Sequence, residues 1–123
     1  PTYRDIHFNG YSGKDRGRAE RMTSGQDRWQ QMQDDIGEFT EKTFGKGTVK
    51  GKITHLAEEL EEVLADPDDR HEWADCMILL LGAARCAGLD MNDLYQAMQE
   101  KMDINRKRKW GPPDEDGIVR HVR

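Results

Sequence analysis

Two pairs of acidic residues at helical spacing could bind a divalent cation. Glu59 and Glu62 lie in the run HLAEELEEVL, and Glu72 and Asp75 lie in the run HEWADCMILLL. Residues three apart project from one face of a helix, and a Pro-Asp-Asp turn at residues 67–69 separates the two runs. If the helices fold back antiparallel, four carboxylates converge, and all-oxygen ligands select hard ions such as Mg²⁺ or Mn²⁺. Such a cluster could hold the phosphates of a nucleotide and activate a water against them.

A solvated helix face is the alternative explanation for these acidic runs, because 35% of the residues are charged. Asp75, however, precedes the apolar run CMILLLGAA, where a carboxylate is costly unless it is paired or bound to metal. Glu59 borders a predicted core stripe, whereas Glu58 and Glu61 should face solvent. The members of that stripe are Leu56, Leu60, Val63 and Leu64.

The bulk composition predicts one soluble domain. The formal charge of −5 argues against a general nucleic-acid binder. The two cysteines, Cys76 and Cys86, should lie on one helix beyond disulfide reach, as core thiols in a reducing compartment. Neither an apolar stretch of about 20 residues nor a signal-like leader occurs. We therefore expect a cytoplasmic protein with no membrane or nucleic-acid partner.

The organisation along the chain indicates an arm followed by a helical domain. Residues 1–23 have no usable period and should form a mobile or partner-ordered arm, and residues 24–123 should form the domain. A helix is predicted from Ser24, with its apolar stripe at Trp29, Met32, Ile36 and Phe39. It should end where Gly45, Gly47 and Gly51 permit a Gly/Lys loop.

Three further helices follow in the prediction. Thr54 should cap a helix over residues 55–65, and a second should run over residues 69–87 with Gly88 at its end. Asp90 should cap a long helix that buries a stripe of Met91, Leu94, Met98 and Met102. Strand-like alternation is absent and the connections are short, so we expect an all-α antiparallel bundle, with the terminal IVRHVR docking back onto it.

Three residues near the end of the last helix could bind phosphate. Lys101, Asn105 and Arg108 recur at i, i+4 and i+7, and Arg offers paired donors to phosphate oxygens. Basic residues also simply suit a helix C-terminus electrostatically, which is the alternative. His55, one turn before Glu59, could face a ligand or serve as a structural or capping histidine.

The acidic pairs, the basic end of the last helix and the short motifs around them occur in an order that resembles the MazG-like nucleotide pyrophosphohydrolases. The resemblance is closer to the phage and bacterial branch of dATP/dGTP diphosphohydrolases. The resemblance covers residues 36–123. It is carried by TFG at 43–45, HLAEELEE, PDDRHEWAD, GAAR at 82–85, K-x-x-x-N-x-x-R-x-W from Lys101 to Trp110, and IVRHVR.

The resemblance implies an all-α oligomer, dimeric or tetrameric, that uses two or three Mg²⁺ or Mn²⁺ ions. It implies cleavage of the α–β bond of a purine deoxynucleoside triphosphate, with dGTP ranked first and pyrophosphate released. The implied metal ligands are Glu59, Glu62, Glu72 and Asp75. Glu59 or Glu62 would orient the water or take its proton, and Lys101, Asn105 and Arg108 would contact phosphates. Trp29, Ile36, Phe39 and Phe44 could wall the base site, although they equally well make core.

Two other classes of protein are alternatives to this function. A carboxylate-bridged di-iron bundle requires Glu-x-x-His, and no Glu in this sequence has a His three residues on. A non-catalytic module, whose acidic face binds a partner protein and whose metal site is vestigial, remains the alternative. Such a module would release no pyrophosphate.

Overall fold

The computed structural model describes residues 25–122, and these residues are mainly helical. The elements are α1 (Gly25–Phe44), α2 (Val49–Ala65), α3 (Arg70–Cys86), α4 (Met91–Lys107), β1 (Lys109–Trp110) and β2 (His121–Val122). The predicted arm, residues 1–23, lies outside the described residues. The chain falls into an N-terminal unit ending at Met91 and a C-terminal unit beginning at Asn92. Across the described residues, no helix is both long and apolar enough to cross a membrane.

The buried side-chain amide of Gln33 and a few apolar contacts hold helix α1 to the end of α3. Gln33 is only 1% exposed, and its amide nitrogen donates to the carbonyls of Leu81 and Leu89, at 3.2 and 3.0 Å. Ile36, Leu81 and Ala83 are the buried hydrophobic residues of this junction. Because buried amides must find partners, Gln33 fixes the position of α1 along α3.

Helices α2 and α3 form a hairpin whose turn was predicted from sequence. Asp69 caps α3 by accepting from the backbone of His71 at 2.9 Å, and the Trp73 indole donates to the Pro67 carbonyl at 3.0 Å. Gly88, with φ of 82°, follows the helix in the left-handed conformation that glycine favours. The two 17-residue helices are joined by a short turn and therefore run antiparallel.

The start of α2 was predicted wrongly. The helix begins at Val49, and its N-cap is Thr48 rather than Thr54. The Thr48 hydroxyl accepts from the backbone of Gly51 at 3.0 Å, and this bond offsets the poor helix propensity of glycine. Part of the predicted Gly/Lys loop is therefore the first turn of α2, which places Lys52 on a helix.

Several residues predicted to be core are exposed in a single chain. Leu60 and Leu64 of the α2 stripe are 49% and 75% exposed, and Met98 and Met102 of α4 are 56% and 48% exposed. Met77 and Leu80, within the apolar run after Asp75, are also exposed, so the buried part of α3 begins only at Leu81. A three-helix unit this small cannot cover both faces of its α2–α3 hairpin.

The two cysteines are free and half-buried. Their predicted lack of a disulfide is confirmed, whereas full burial in the core is not. The Cys86 thiol lies 3.6 Å from the Gly47 carbonyl.

The C-terminal unit contains α4 and a β-hairpin. The sequence predicted no strands, and this was wrong because two short strands are present. β1 and β2 pair antiparallel, with Lys109 opposite Val122. Arg120 contacts the Asp114 carboxylate at 2.6 Å, and this bond, followed by that from the Ile118 backbone, lowers the pKa of Asp114. Since α4 ends at Lys107, Arg108 lies just past the helix rather than on it as predicted.

Two glycines in helix interiors should respond oppositely to alanine. A methyl at Gly37 would overlap the guanidinium end of Arg85, which bonds Asp34 and Glu41 at 3.3 and 3.1 Å. A methyl at Gly82 would meet its nearest neighbours at an ordinary 3.5 Å. The helix-propensity gain is common to both, so Gly37→Ala should be less stable than Gly82→Ala by about 1–3 kcal/mol. Urea denaturation measures this difference, and equal midpoints would contradict it.

Candidate functional site

Three of the four predicted metal ligands converge across the α2–α3 hairpin. One carboxylate oxygen each of Glu59, Glu72 and Asp75 lies within 4.8 Å of the others, and we call these three residues the carboxylate cluster. Glu59 and Glu72 are half-buried and Asp75 is exposed. Because α2 and α3 are antiparallel, the face of α2 that carries the first acidic pair lies opposite the face of α3 that carries the second. Glu59 and Asp75 also line a cavity, so a substrate there could reach a cation held by the cluster.

The negative charges in and around the carboxylate cluster repel one another. Burial raises the pKa of Glu72, and the nearby charges of Asp69, Glu62, Asp75 and Glu59 raise it further, in that order. Burial, followed by the charge of the cluster, also raises the pKa of the Cys76 thiol, which therefore remains protonated at neutral pH. A divalent cation would relieve this repulsion, and oxygen-only donors suit Mg²⁺ and Mn²⁺.

Glu62 and His55 flank the cluster on α2. Glu62 is exposed and lies outside the three-residue group among the described residues, yet its charge acts on Glu72. The His55 Nε2 atom lies 3.3 Å from a Glu59 oxygen, one helical turn away. The side chain of His55 therefore contacts one carboxylate of the cluster.

A cavity of about 880 Å³ extends from the cluster across α1, α2 and α3. Glu59 and Asp75 line it, together with His55 and Lys52. Its remaining walls are Asp35, apolar side chains, and glycine and threonine residues. A volume of this size is ample for a nucleotide-sized ligand.

Three of the four base-site candidates line the cavity. Ile36, Phe39 and Phe44 do so, whereas Trp29 is not among the lining residues. The two phenylalanine rings meet edge to face, with centroids 6.0 Å apart, and they are 62% and 76% exposed. Large aromatic surfaces left open beside a cavity favour a flat ligand ring.

Two charged residues that line the cavity, Asp35 and Lys52, were not assigned to the site from the sequence. For Lys52 the sequence indicated only a lysine of the Gly/Lys loop that could meet phosphate. Asp35 adjoins Ile36 of the apolar stripe, which was the only signal for it in the sequence. The stem of Lys52 passes close to Gly47 and Gly82, where an added Cβ would meet it at 2.9 and 3.5 Å. These small residues make room for the lysine beside the cavity.

The predicted phosphate-binding residues lie in the C-terminal unit. Lys101 is exposed, and Asn105 and Arg108 are half-buried. An Arg108 guanidinium nitrogen lies 3.5 Å from the Asn105 side-chain oxygen, and the Trp110 indole donates to the Asn105 carbonyl at 2.9 Å. The end of α4 therefore carries a guanidinium and an amide side by side.

Comparison with known sequences gives a consistent group of relatives. The sequence model of dATP/dGTP pyrophosphohydrolases matches residues 32–123. The chain is 38% identical over 87 residues to the Eaa protein of Salmonella phage P22, covering 70% of this chain and 27% of that protein. It is 39% identical over 88 residues to a dATP/dGTP diphosphohydrolase of Salmonella phage PMBT28, covering 71% and 29%. The chain thus spans less than a third of the length of these two relatives.

Cyanophage S-2L supplies both a sequence relative and a solved structure. Its dATP/dGTP diphosphohydrolase is 38% identical over 74 residues, which is 58% of this chain and 67% of that protein. The solved structure is the cyanophage S-2L MazG-like pyrophosphohydrolase bound to dGDP and three catalytic Mn²⁺ ions per active site. It matches with a TM-score of 0.67 and 31% identity, over 76% of this chain and 95% of that one. This likeness confirms the predicted MazG-like helical fold.

Proposed function

Because this chain belongs to the dATP/dGTP pyrophosphohydrolase family, we propose that it cleaves the α–β bond of a purine deoxynucleoside triphosphate. The products are the monophosphate and pyrophosphate, and the preferred substrate is dGTP. The observation that carries this function is the carboxylate cluster, with its oxygens within 4.8 Å, at the edge of an apolar-walled cavity. The dGDP and Mn²⁺ bound to the cyanophage relative support the same ligand classes.

Glu59, Glu72 and Asp75 would hold the cations, with Glu62 as the fourth ligand. Two or three Mg²⁺ or Mn²⁺ ions per site are proposed, because the donor set contains oxygen only and the cyanophage relative holds three Mn²⁺ ions per site. When bound, these ions neutralise phosphate charge and lower the pKa of a water.

The remaining roles fall to side chains of this chain. Glu59 and Glu62 are the proposed catalytic carboxylates, which orient the attacking water and accept its proton. His55 positions Glu59 through their 3.3 Å contact. Lys101, Asn105 and Arg108 are proposed phosphate ligands, on their resemblance to the family motif and their donor chemistry. Ile36, Phe39 and Phe44 are the proposed walls of the base site, and Trp29 is not retained because it does not line the cavity.

The protein is proposed to act as a homo-oligomer, a dimer or a tetramer, in the cytoplasm, which is that of the host if the protein is phage-encoded. The exposed apolar side chains of the α2–α3 hairpin support this assembly, since Leu64 and Trp73 are 75% and 54% exposed. Light scattering on the purified protein tests it, and a monomeric mass at micromolar concentration would refute it. Residues 24–123 are the proposed catalytic domain and residues 1–23 an arm.

Product analysis tests the proposed reaction. The purified protein is incubated with each of the eight common ribo- and deoxynucleoside triphosphates, in Mg²⁺, in Mn²⁺ and in EDTA. We expect monophosphate and pyrophosphate from purine deoxynucleotides, dGTP above all, and no product in EDTA. Release of orthophosphate instead of pyrophosphate would contradict the assigned bond. No turnover in either metal would favour a module that binds a partner protein.

A further inference from the structure

One acceptor in the cavity wall has no partner. Asp35 lies on α1, where one carboxylate oxygen, Oδ1, accepts from the Gln31 side-chain amide at 2.8 Å. The other, Oδ2, is buried and finds no hydrogen-bond partner among the described residues. Burial and, secondarily, the charge of Glu38 raise the pKa of Asp35. A buried acceptor left unsatisfied is uncommon in proteins, so its presence in a cavity wall points to a donor on the ligand.

The surroundings of Asp35 suit a flat heterocycle. Phe39 lies one helical turn further along α1, on the same face, and Ile36 and Phe44 also line the cavity. The base site therefore offers apolar walls for stacking and a carboxylate that can only accept hydrogen bonds while it is ionised. The Oδ1 atom keeps a free lone pair beside the one used by Gln31, and Oδ2 has no partner, so the carboxylate has unused acceptor capacity on both oxygens.

Guanine matches this carboxylate better than adenine does. The Watson–Crick edge of guanine carries two adjacent donors, the N1–H and the 2-amino group, which a carboxylate accepts in parallel. Adenine presents the N1 lone pair at the same place, and that lone pair would face the carboxylate oxygens in a desolvated site. A site built around a hydrogen bond strongly rejects the analogue that cannot make it.

We propose that Asp35 is the residue that determines base specificity, by accepting from N1–H and the 2-amino group of guanine. This inference rests on the proposed function and adds to it the residue that reads the base. It also accounts for the position of Asp35 outside the carboxylate cluster: it acts on the base rather than on the phosphates.

The substitution Asp35→Asn tests the assignment, because an amide can donate to adenine N1 while accepting from its 6-amino group. The ratio of kcat/KM for dGTP to that for dATP should fall by at least about 100-fold, mainly through loss on dGTP. Glu38→Gln is the matched control, since it removes a neighbouring charge on α1 from a side chain that does not line the cavity. That variant should keep the wild-type ratio.

Three outcomes would overturn the inference. The first is a ratio in Asp35→Asn within about threefold of wild type. The second is an equal loss on every nucleotide in a folded variant, which would place Asp35 in the hydrolytic machinery. The third is a wild type that prefers dATP. A wild type that turns over no nucleotide would refute the proposed function itself, and this result is recognisable without the variant.

Substrate analogues provide a second measurement that does not depend on the variant folding. dITP lacks the 2-amino group and N1-methyl-dGTP lacks the N1–H, while both keep the triphosphate. With wild-type protein, each should lose at least about tenfold in kcat/KM relative to dGTP. In Asp35→Asn, dITP and dGTP should become nearly equivalent. Wild-type rates on both analogues equal to that on dGTP would exclude a contact from Asp35 to this edge.

Discussion

Replacing Asp75 with Asn is expected to lower kcat/KM by at least about 1,000-fold while the helices remain intact. Asp75 supplies one of the three oxygens that lie within 4.8 Å of one another, so the change removes a full charge where cations would bind. A 1,000-fold loss corresponds to about 4 kcal/mol of transition-state stabilisation, which is within the range for metal-assisted hydrolysis. Because Asp75 is exposed and Asn has the same shape, packing should not change.

The stability of the variant separates this explanation from simple unfolding. Asp75 is one of the charges that raise the pKa of Glu72, so its removal relieves repulsion in the metal-free protein. Asp75→Asn should therefore melt at the same temperature as wild type or higher in EDTA, although it is inactive. Glu61→Gln is the matched control, because it removes an exposed charge from α2 that does not belong to the cluster. Activity of Asp75→Asn within tenfold of wild type would refute the role of the cluster.

The sequence predicted the convergence of three acidic residues, whereas it misplaced the start of the helix that carries one of them. The spacing of Glu59, Glu72 and Asp75 needed only helical periodicity and an antiparallel turn to bring them together, and both are local features. The ends of α3 likewise depend on local signals, and the predicted range of residues 69–87 differs from the observed Arg70–Cys86 by one residue at each end. The predicted family is confirmed by the match over residues 32–123.

What the sequence could not provide depends on tertiary placement. The start of α2 was misplaced because glycines within a helical turn look like a loop until Thr48 is seen to bond Gly51. Asp35 was missed because an acidic residue beside an apolar stripe normally faces solvent, and only packing of α1 against α3 turns it into the cavity. Leu64 was assigned to the core because a hydrophobic stripe does not say whether its cover comes from the same chain.

Chelation is expected to abolish turnover without unfolding the protein, and added Mn²⁺ to restore it. The helices are held by contacts remote from the cluster, such as those of Gln33 with Leu81 and Leu89, so cation loss should leave helicity unchanged. Circular dichroism and pyrophosphate release, measured on one sample before and after EDTA, test both halves of this expectation. Turnover that persists in EDTA would exclude a metal-dependent reaction, and loss of helicity would make the metal structural.

Binding of metal should also stabilise the protein in a pH-dependent manner. The folded-state pKa of Glu72 is raised, so the stability contributed by this group is present at low pH and is lost as pH rises through that pKa. A cation replaces the missing proton, and its stabilising effect should therefore be larger at pH 8 than at pH 5, where protons compete for the same oxygens.

At a metal concentration of about 100 Kd, mass action contributes about 2.7 kcal/mol, or a rise in Tm on the order of 10 °C. A thermal scan of Asp75→Asn with and without Mn²⁺ provides the control, since most of this rise should disappear once the cluster has lost one carboxylate. An equal rise at both pH values, or in both proteins, would place the bound metal elsewhere than the carboxylate cluster.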